Sequence, residues 1–216
     1  MHFEILVEDQ SGKAMLDILV PRIIGSEHTF DVKAYKGIGR IPQKQNKPVD
    51  ASKRILLDNL PRLLAGYGKS WSTGYGAVIV VCDLDDKCPK SFRTELLAIL
   101  HACNPTPETR FCIAIEEGEA WLLGDSQAIK SAYPKAKVSV LDAYKPDSIC
   151  GTWEKLADAV YRGGAKMLVA QGWQTVGAEK SAWANNIAPH MNLATNQSPS
   201  FSYFRNKLLE LVENVE

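Results

Sequence analysis

The first half of the chain repeats one arrangement: a short apolar run, then a stretch with apolar residues at helical spacing, then another apolar run. The runs are "HFEILVE", "TFDVKAYKG", "AVIVVCD" and "RFCIAIEE". The stretches between them are "GKAMLDILVPRIIG", "DASKRILLDNLPRLLAGYG" and "PKSFRTELLAILHAC". Strands that alternate with helices build a mostly parallel sheet with helices on both faces. Strands that are nearly continuous in apolar residues are those buried on both sides. The expected fold class is therefore α/β: a Rossmann-like, mostly parallel four-stranded sheet flanked by helices. Pro21 is expected to kink the first helix or to start a second short one. Asp50 or Ser52 is expected to cap the second helix, and Pro89 to lie in the first turn of the third.

From about Gly118 the pattern changes. "EAWLLGDSQAIKSAYP", "TWEKLADAVYRGGAKMLVAQG", "EKSAWANNIAPHM" and "SFSYFRNKLLELVENV" read as helices, with a short strand expected at "KVSVLD". This divides the chain into an α/β part, residues 1–124, and a mainly helical C-terminal extension, residues 125–216, packed on or beside it.

Composition bounds the function only loosely. With 45% hydrophobic and 23% charged residues, the chain supports one sizeable core, alone or with an appendage. Lys and Arg total 25 and so do Asp and Glu, so the global charge is silent about nucleic acid. The five cysteines are an odd number with no CxxC pair, which points to a reducing, cytoplasmic setting rather than a disulfide framework. The start "MHFEILVED" has neither a basic segment nor a long apolar one, and no apolar run approaches a membrane span. No signal peptide and no membrane partner is expected.

The informative stretch is "AVIVVCDLDDK", residues 77–87, where the most apolar strand runs into Asp83, Asp85 and Asp86. In a parallel α/β sheet, ligands bind beyond the carboxyl ends of the strands. Asp83 and Asp85, two apart, point to the same face. Two converging carboxylates repel and need a cation between them. An all-oxygen site of this kind suits Mg2+ or Mn2+. Asp86 points elsewhere and suits the cap of the next helix. The first strand also ends in an acid, Glu8, before a Ser-Gly-Lys turn whose N–H groups suit a phosphate oxygen, with Lys13 as counter-charge. The fourth ends in Glu116, Glu117 and Glu119. A carboxylate after a strand equally suits the first turn of the following helix. That reading fits Glu117 and Glu119 best and stays open for Glu8 and Glu116.

A strand-ending Glu followed about 75 residues later by a strand-ending DxD resembles the Toprim domain. Topoisomerases, bacterial primases, overcoming-lysogenization-defect nucleases and recombination mediators carry that Mg2+-dependent domain. The β-α-β-α-β-α-β order matches too. With "IEEGEAW" and "SPSFSYFR", the whole chain is similar to a bacterial Toprim-like family known as a domain of unknown function. The resemblance implies that Asp83 and Asp85 bind Mg2+. It also implies that Glu8 acts as general acid/base or completes the metal shell. One departure concerns a second metal. The nucleases place another acid a few residues after the first, whereas this turn reads "DQSGK", leaving Asp9 or Glu116 to substitute.

Residues 33–54 add local charge: Lys33, Lys36, Arg40, Lys44, Lys47, Lys53 and Arg54 against Asp50. Lys36, Arg40 and Lys44 are the candidate nucleic-acid contacts beside the acidic edge, although a solvated basic loop has the same composition. Gly37 and Gly39 suit close backbone approach or a turn. "GYGKS" fails as a P-loop because its earlier glycine is missing and it follows a helix. "KGIGR" lacks the third glycine of a dinucleotide fingerprint. His28, His101 and His190 have no zinc spacing, and His190 alone is in a region from which it could reach the site. Trp121, Trp153, Trp173 and Trp183 suit core packing.

The expected function is Mg2+- or Mn2+-dependent phosphodiester chemistry on nucleic acid, DNA or RNA, most simply that of a nuclease. Two alternatives stand beside it. One is a non-catalytic module binding nucleic acid or protein. The other is metal-dependent phosphoryl transfer on a small nucleotide. A protein partner encoded elsewhere is the other partner class left open.

Overall fold

Each of the four apolar runs becomes a strand: β1 His2–Val7, β2 Thr29–Ala34, β3 Gly76–Asp83 and β4 Thr109–Ala114. The structure is a computed structural model that describes residues 1–42, 53–72, 74–84 and 87–214. The strands form one sheet in the order β2-β1-β3-β4, and all three pairings are parallel. Helices α1 (Gln10–Ile24), α2 (Leu56–Ser70) and α3 (Pro89–His101) make the crossovers. The chain steps from β1 to β2, then returns across β1 to β3. With right-handed crossovers this places α1 on one face and α2 and α3 on the other. The order reverses between β1 and β3, so the carboxyl ends of those two strands flank the switch point, where open α/β sheets leave a crevice.

Side chains alternate between two cores, as the pleat requires. Phe3, Ile5, Val7, Ala77, Ile79 and Val81 face α1, while Leu6, Val78, Val80 and Cys82 face α2 and α3. Asp83 follows Val81 by two residues and so belongs to the α1 face.

Helix α1 runs unbroken through Pro21, an exposed position in its last turns. It ends at Gly25, whose positive φ of 76° lets its N–H reach the Pro21 carbonyl. No second short helix starts at Pro21. Helix α2 starts at Leu56 without a side-chain cap, and Asp50 and Ser52 lie outside the described residues. Pro89 opens α3 as its missing N–H allows.

The C-terminal residues are helical: α4 Glu119–Leu123, α5 Ser126–Ala132, α6 Val138–Asp142, α7 Thr152–Val160, α8 Gly164–Ala170, α9 Trp173–Ile187 and α10 Pro199–Glu213. They share one hydrophobic core with the α1 face of the sheet. The expected strand at "KVSVLD" is the short helix α6, which packs on α7. Trp121, Trp153 and Trp183 are buried, but Trp173 is 71% exposed, meeting Trp153 by its edge.

The two stretches "IEEGEAW" and "SPSFSYFR" pack on each other. Trp121 stacks on Phe204 and donates its indole N–H to the Ser200 hydroxyl at 2.9 Å. Ser198 caps α10 by accepting the Phe201 N–H and donates to Asp147. Gly124 must be glycine at this seam, because a Cβ there would lie 2.3 Å from Asn196 Oδ1 and 2.9 Å from the Ser198 nitrogen. No helix among the described residues is long and apolar enough to cross a membrane. All five cysteines are free thiols.

Candidate functional site

A crevice opens at the switch point, between the ends of β1 and β3 and the starts of α1 and α4. Glu8, Asp9, Asp83 and Glu119 line it above an apolar floor that includes Val7 and Val81. The space between them admits a body the size of a water molecule or a bare cation.

The local structure explains who points in. Asp9 is the N-cap of α1: its Oδ1 accepts the Gly12 N–H at 2.7 Å and its Oδ2 the Ser11 hydroxyl at 2.7 Å. Gly12 is required by closeness, since a Cβ there would lie 2.6 Å from Val7 Cγ2. Asp9 thus already takes the backbone donor in which a phosphate oxygen was expected. Lys13, the expected counter-charge, is held on the β2 side, donating to the Val32 carbonyl at 2.8 Å and pairing with Asp17 at 3.1 Å. Asp9 thus caps α1, and Lys13 ties α1 to β2.

Glu119 stands in the first turn of α4, as a helix-start reading expects. Every residue of that five-residue helix is buried, however, so its carboxylate goes into the crevice rather than into solvent. There it meets Lys180 of α9, whose ammonium lies 3.2 Å from Glu119 and 3.6 Å from Glu117. Lys180 was not singled out in the sequence: "EKSAWANN" reads as an ordinary amphipathic helix. Only the packing of α9 on α1 turns this lysine inward.

Glu116 is a different case. It has a positive φ of 64°, and its carboxylate accepts the backbone N–H groups of Cys150, Gly151 and Thr152 at 3.1, 2.8 and 3.0 Å. It serves the N-terminus of α7, where a negative charge is favoured. Its oxygens thus already accept three backbone donors at the start of α7.

The electrostatics of the crevice are those of crowded acids. Burial pushes the Asp83 carboxyl well above the ordinary range; Glu8 and Glu119 add to this, Lys180 opposes it and Asp9 adds again. Burial likewise raises Glu119, against Lys180. Burial also raises Glu117, to about 7, with Lys180 again opposing. Burial alone would lower Lys180, but Glu119, Glu117, Asp83 and Asp9 outweigh it and hold the ammonium charged. An additional cation in the crevice would favour the ionised form of Asp83.

The donor set therefore suits a hard divalent cation: carboxylate oxygens, no sulfur or imidazole, and a deficit of positive charge. Among the described residues alone, no group of three or more His, Cys, Asp or Glu side chains is placed so that it could hold a metal ion. Asp85 and Asp86, which follow Asp83 directly, lie outside the described residues, as does Lys44.

Lys36 and Arg40 are exposed on the segment after β2. That segment is anchored beside β1: Tyr35 donates to the Val7 carbonyl at 2.9 Å and Gly37 to the Glu8 carbonyl at 3.0 Å. The two cations thus stand on the same edge as the acids. His190 is exposed in a short 3-10 turn, Ala188–His190. Arg22 donates to the Ala188 carbonyl, which ties the turn to the far end of α1, away from the crevice.

A protein-family model described as "Domain of unknown function (DUF4276)" matches residues 7–209. No curated protein and no solved structure matches.

Proposed function

We propose that this chain, which belongs to the DUF4276 family, carries out Mg2+- or Mn2+-dependent phosphodiester cleavage on nucleic acid at the β1/β3 crevice. The observation that carries the reading is the meeting of Glu8 and Asp83 at the switch point, where burial and then Glu8 make the ionisation of Asp83 costly. A site that crowds acids against desolvation has a use for them, and a divalent cation is the simplest. The Toprim resemblance points to the same residues and adds Asp85.

Asp83, Asp85 and Glu8 would hold the cation. When bound, it would supply charge stabilisation for the phosphoryl oxygens and lower the pKa of a bound water. Glu8 would take or give a proton as general acid/base. Lys180 pairs with Glu117 and Glu119 across the same crevice. Lys36 and Arg40 guide the phosphate backbone toward this edge.

The test is cleavage of single- and double-stranded DNA and RNA with Mg2+ or Mn2+, alongside titration calorimetry with the metal alone. The wild type is expected to cut. Asp83→Ala/Asp85→Ala should bind no metal and be inactive, and Glu8→Gln should lose on the order of 100-fold or more in rate. Metal-independent cutting, or activity retained in both variants, would refute the reading. Metal binding with hydrolysis of nucleoside triphosphates but of no polymer would replace the substrate with a small nucleotide.

A further inference from the structure

The crevice has a second wall of acids besides the strand ends. Glu117 and Glu119 stand where the chain leads from β4 into α4. Each turns a carboxylate oxygen toward one point, which the Lys180 ammonium fills at 3.6 and 3.2 Å. Glu119 is 4% exposed, so its charge has little water to balance it. Glu117 Oε2 is buried and accepts no hydrogen bond among the described residues, so the lysine's charge is its counterpart.

Helix α9 delivers that charge. It packs on both α1 and α4. Lys180 and Ala184 lie one turn apart on it, and Ala184 lines the crevice. Burial opposes the charge of the ammonium, yet Glu119, Glu117, Asp83 and Asp9 together maintain it. The lysine is thus a permanent cation set among the acids of the site, not a surface charge that happens to lie near them.

Converging carboxylates of this kind suit a divalent ion. Hydrolases with two ions use them as a clamp on the attacking and leaving oxygens of a phosphate. From this we infer that Lys180 takes the place of a second metal ion: its ammonium fills a divalent-cation position between Glu117 and Glu119, which leaves the crevice one position for an ion, at Asp83. The inference rests on the function proposed above and sets the number of ions it uses. A lysine brings one positive charge where an ion brings two, but it is tethered and needs no supply of metal. Without it, two largely buried carboxylates face one point with no cation between them.

The experiment is titration calorimetry with Mn2+ alone at pH 8, above the value of about 7 to which burial raises Glu117. Bound ions are counted independently from the free Mn2+ signal in electron paramagnetic resonance. The wild type and Lys180→Arg should bind one ion. Lys180→Met should bind two, the second between Glu117 and Glu119. Lys180→Met/Glu119→Gln should return to one ion, with an affinity within about threefold of the wild type, because the two lost charges cancel at a distance. Circular dichroism checks folding. The double variant leaves only the more exposed Glu117 without its partner, so it decides the matter even where Lys180→Met does not fold. Two ions in the wild type, or loss of the wild-type ion in the double variant, would overturn the inference. One ion in the wild type and still one in folded Lys180→Met would overturn this inference alone. No ion in the wild type, with one in Lys180→Met that Glu119→Gln removes, would overturn only the catalytic reading.

Discussion

Replacing Lys180 with methionine tests the electrostatic picture most directly. Methionine keeps most of the length and apolar stem and removes the charge. The side chains of Lys180 and Glu119 are 16% and 5% exposed, so the pair is largely out of water. Breaking a buried pair by removing one partner costs about 3–5 kcal/mol, because the other charge is left uncompensated. Here Lys180 serves two carboxylates and feels two more. At pH 8 the loss should therefore be about 3–5 kcal/mol, or about 10 °C in Tm for a chain of this size. At pH 5 the same variant should lose much less. Glu117, raised to about 7, is then largely protonated and needs no counter-ion, and Glu119 is raised in the same direction. Lys180→Met/Glu119→Gln should recover part of the loss at pH 8, giving a coupling of about 1–3 kcal/mol. Urea unfolding followed by circular dichroism at both pH values reads all of this. A loss under about 1 kcal/mol at pH 8, an equal loss at both pH values, or no recovery in the double variant would refute the reasoning.

Three further outcomes are expected. Glu117 sits at about 7 when folded against an ordinary 4.5, so the folded state retains a proton that the unfolded chain has already released. The stability linked to it is fully present below about pH 4.5 and lost as pH rises through about 7. The urea midpoint should fall across that window, and Glu117→Gln should flatten the fall; a rising midpoint would contradict it. Mg2+ or Mn2+ should raise Tm at pH 8, by about 2.7 kcal/mol of stability at 100 times the dissociation constant. Asp83→Asn should abolish that rise, and a rise that persists would place the metal elsewhere. Gly124→Ala should destabilise by about 1–3 kcal/mol through overpacking against Asn196 and Ser198, read as a lowered urea midpoint.

The sheet was legible in the sequence because the strands are buried on both faces and need apolar runs. The crossover helices between them have a periodicity of their own. Glu8 and Asp83 were legible for a related reason: a charge directly after such a run can only lie at a strand end. The rest of the site depends on pairings that no local pattern encodes. Lys180 lies far along the chain on a helix whose inward face is chosen by α1. Glu119 is in the helix start that its position announced, yet the complete burial of α4 turns a cap residue into a wall of the crevice. The backbone partners of Glu116, Cys150 to Thr152, lie in a turn that only the fold brings back. "KVSVLD" has β-branched residues at strand spacing, but it is a short helix packed on α7.

The separation of Lys180 from its acids also bears on how the molecule is made. Synthesis runs from the amino end, so Glu8, Asp83, Glu117 and Glu119 leave the ribosome well before Lys180 does. In that interval the acids have only solvent ions and protons to balance them. When α9 docks on α1 it exchanges that mobile balance for a fixed ammonium. The electrostatic strain of the nascent sheet is relieved by one of the last pieces to arrive, so a shortened product ending before α9 would carry the acids without their resident base.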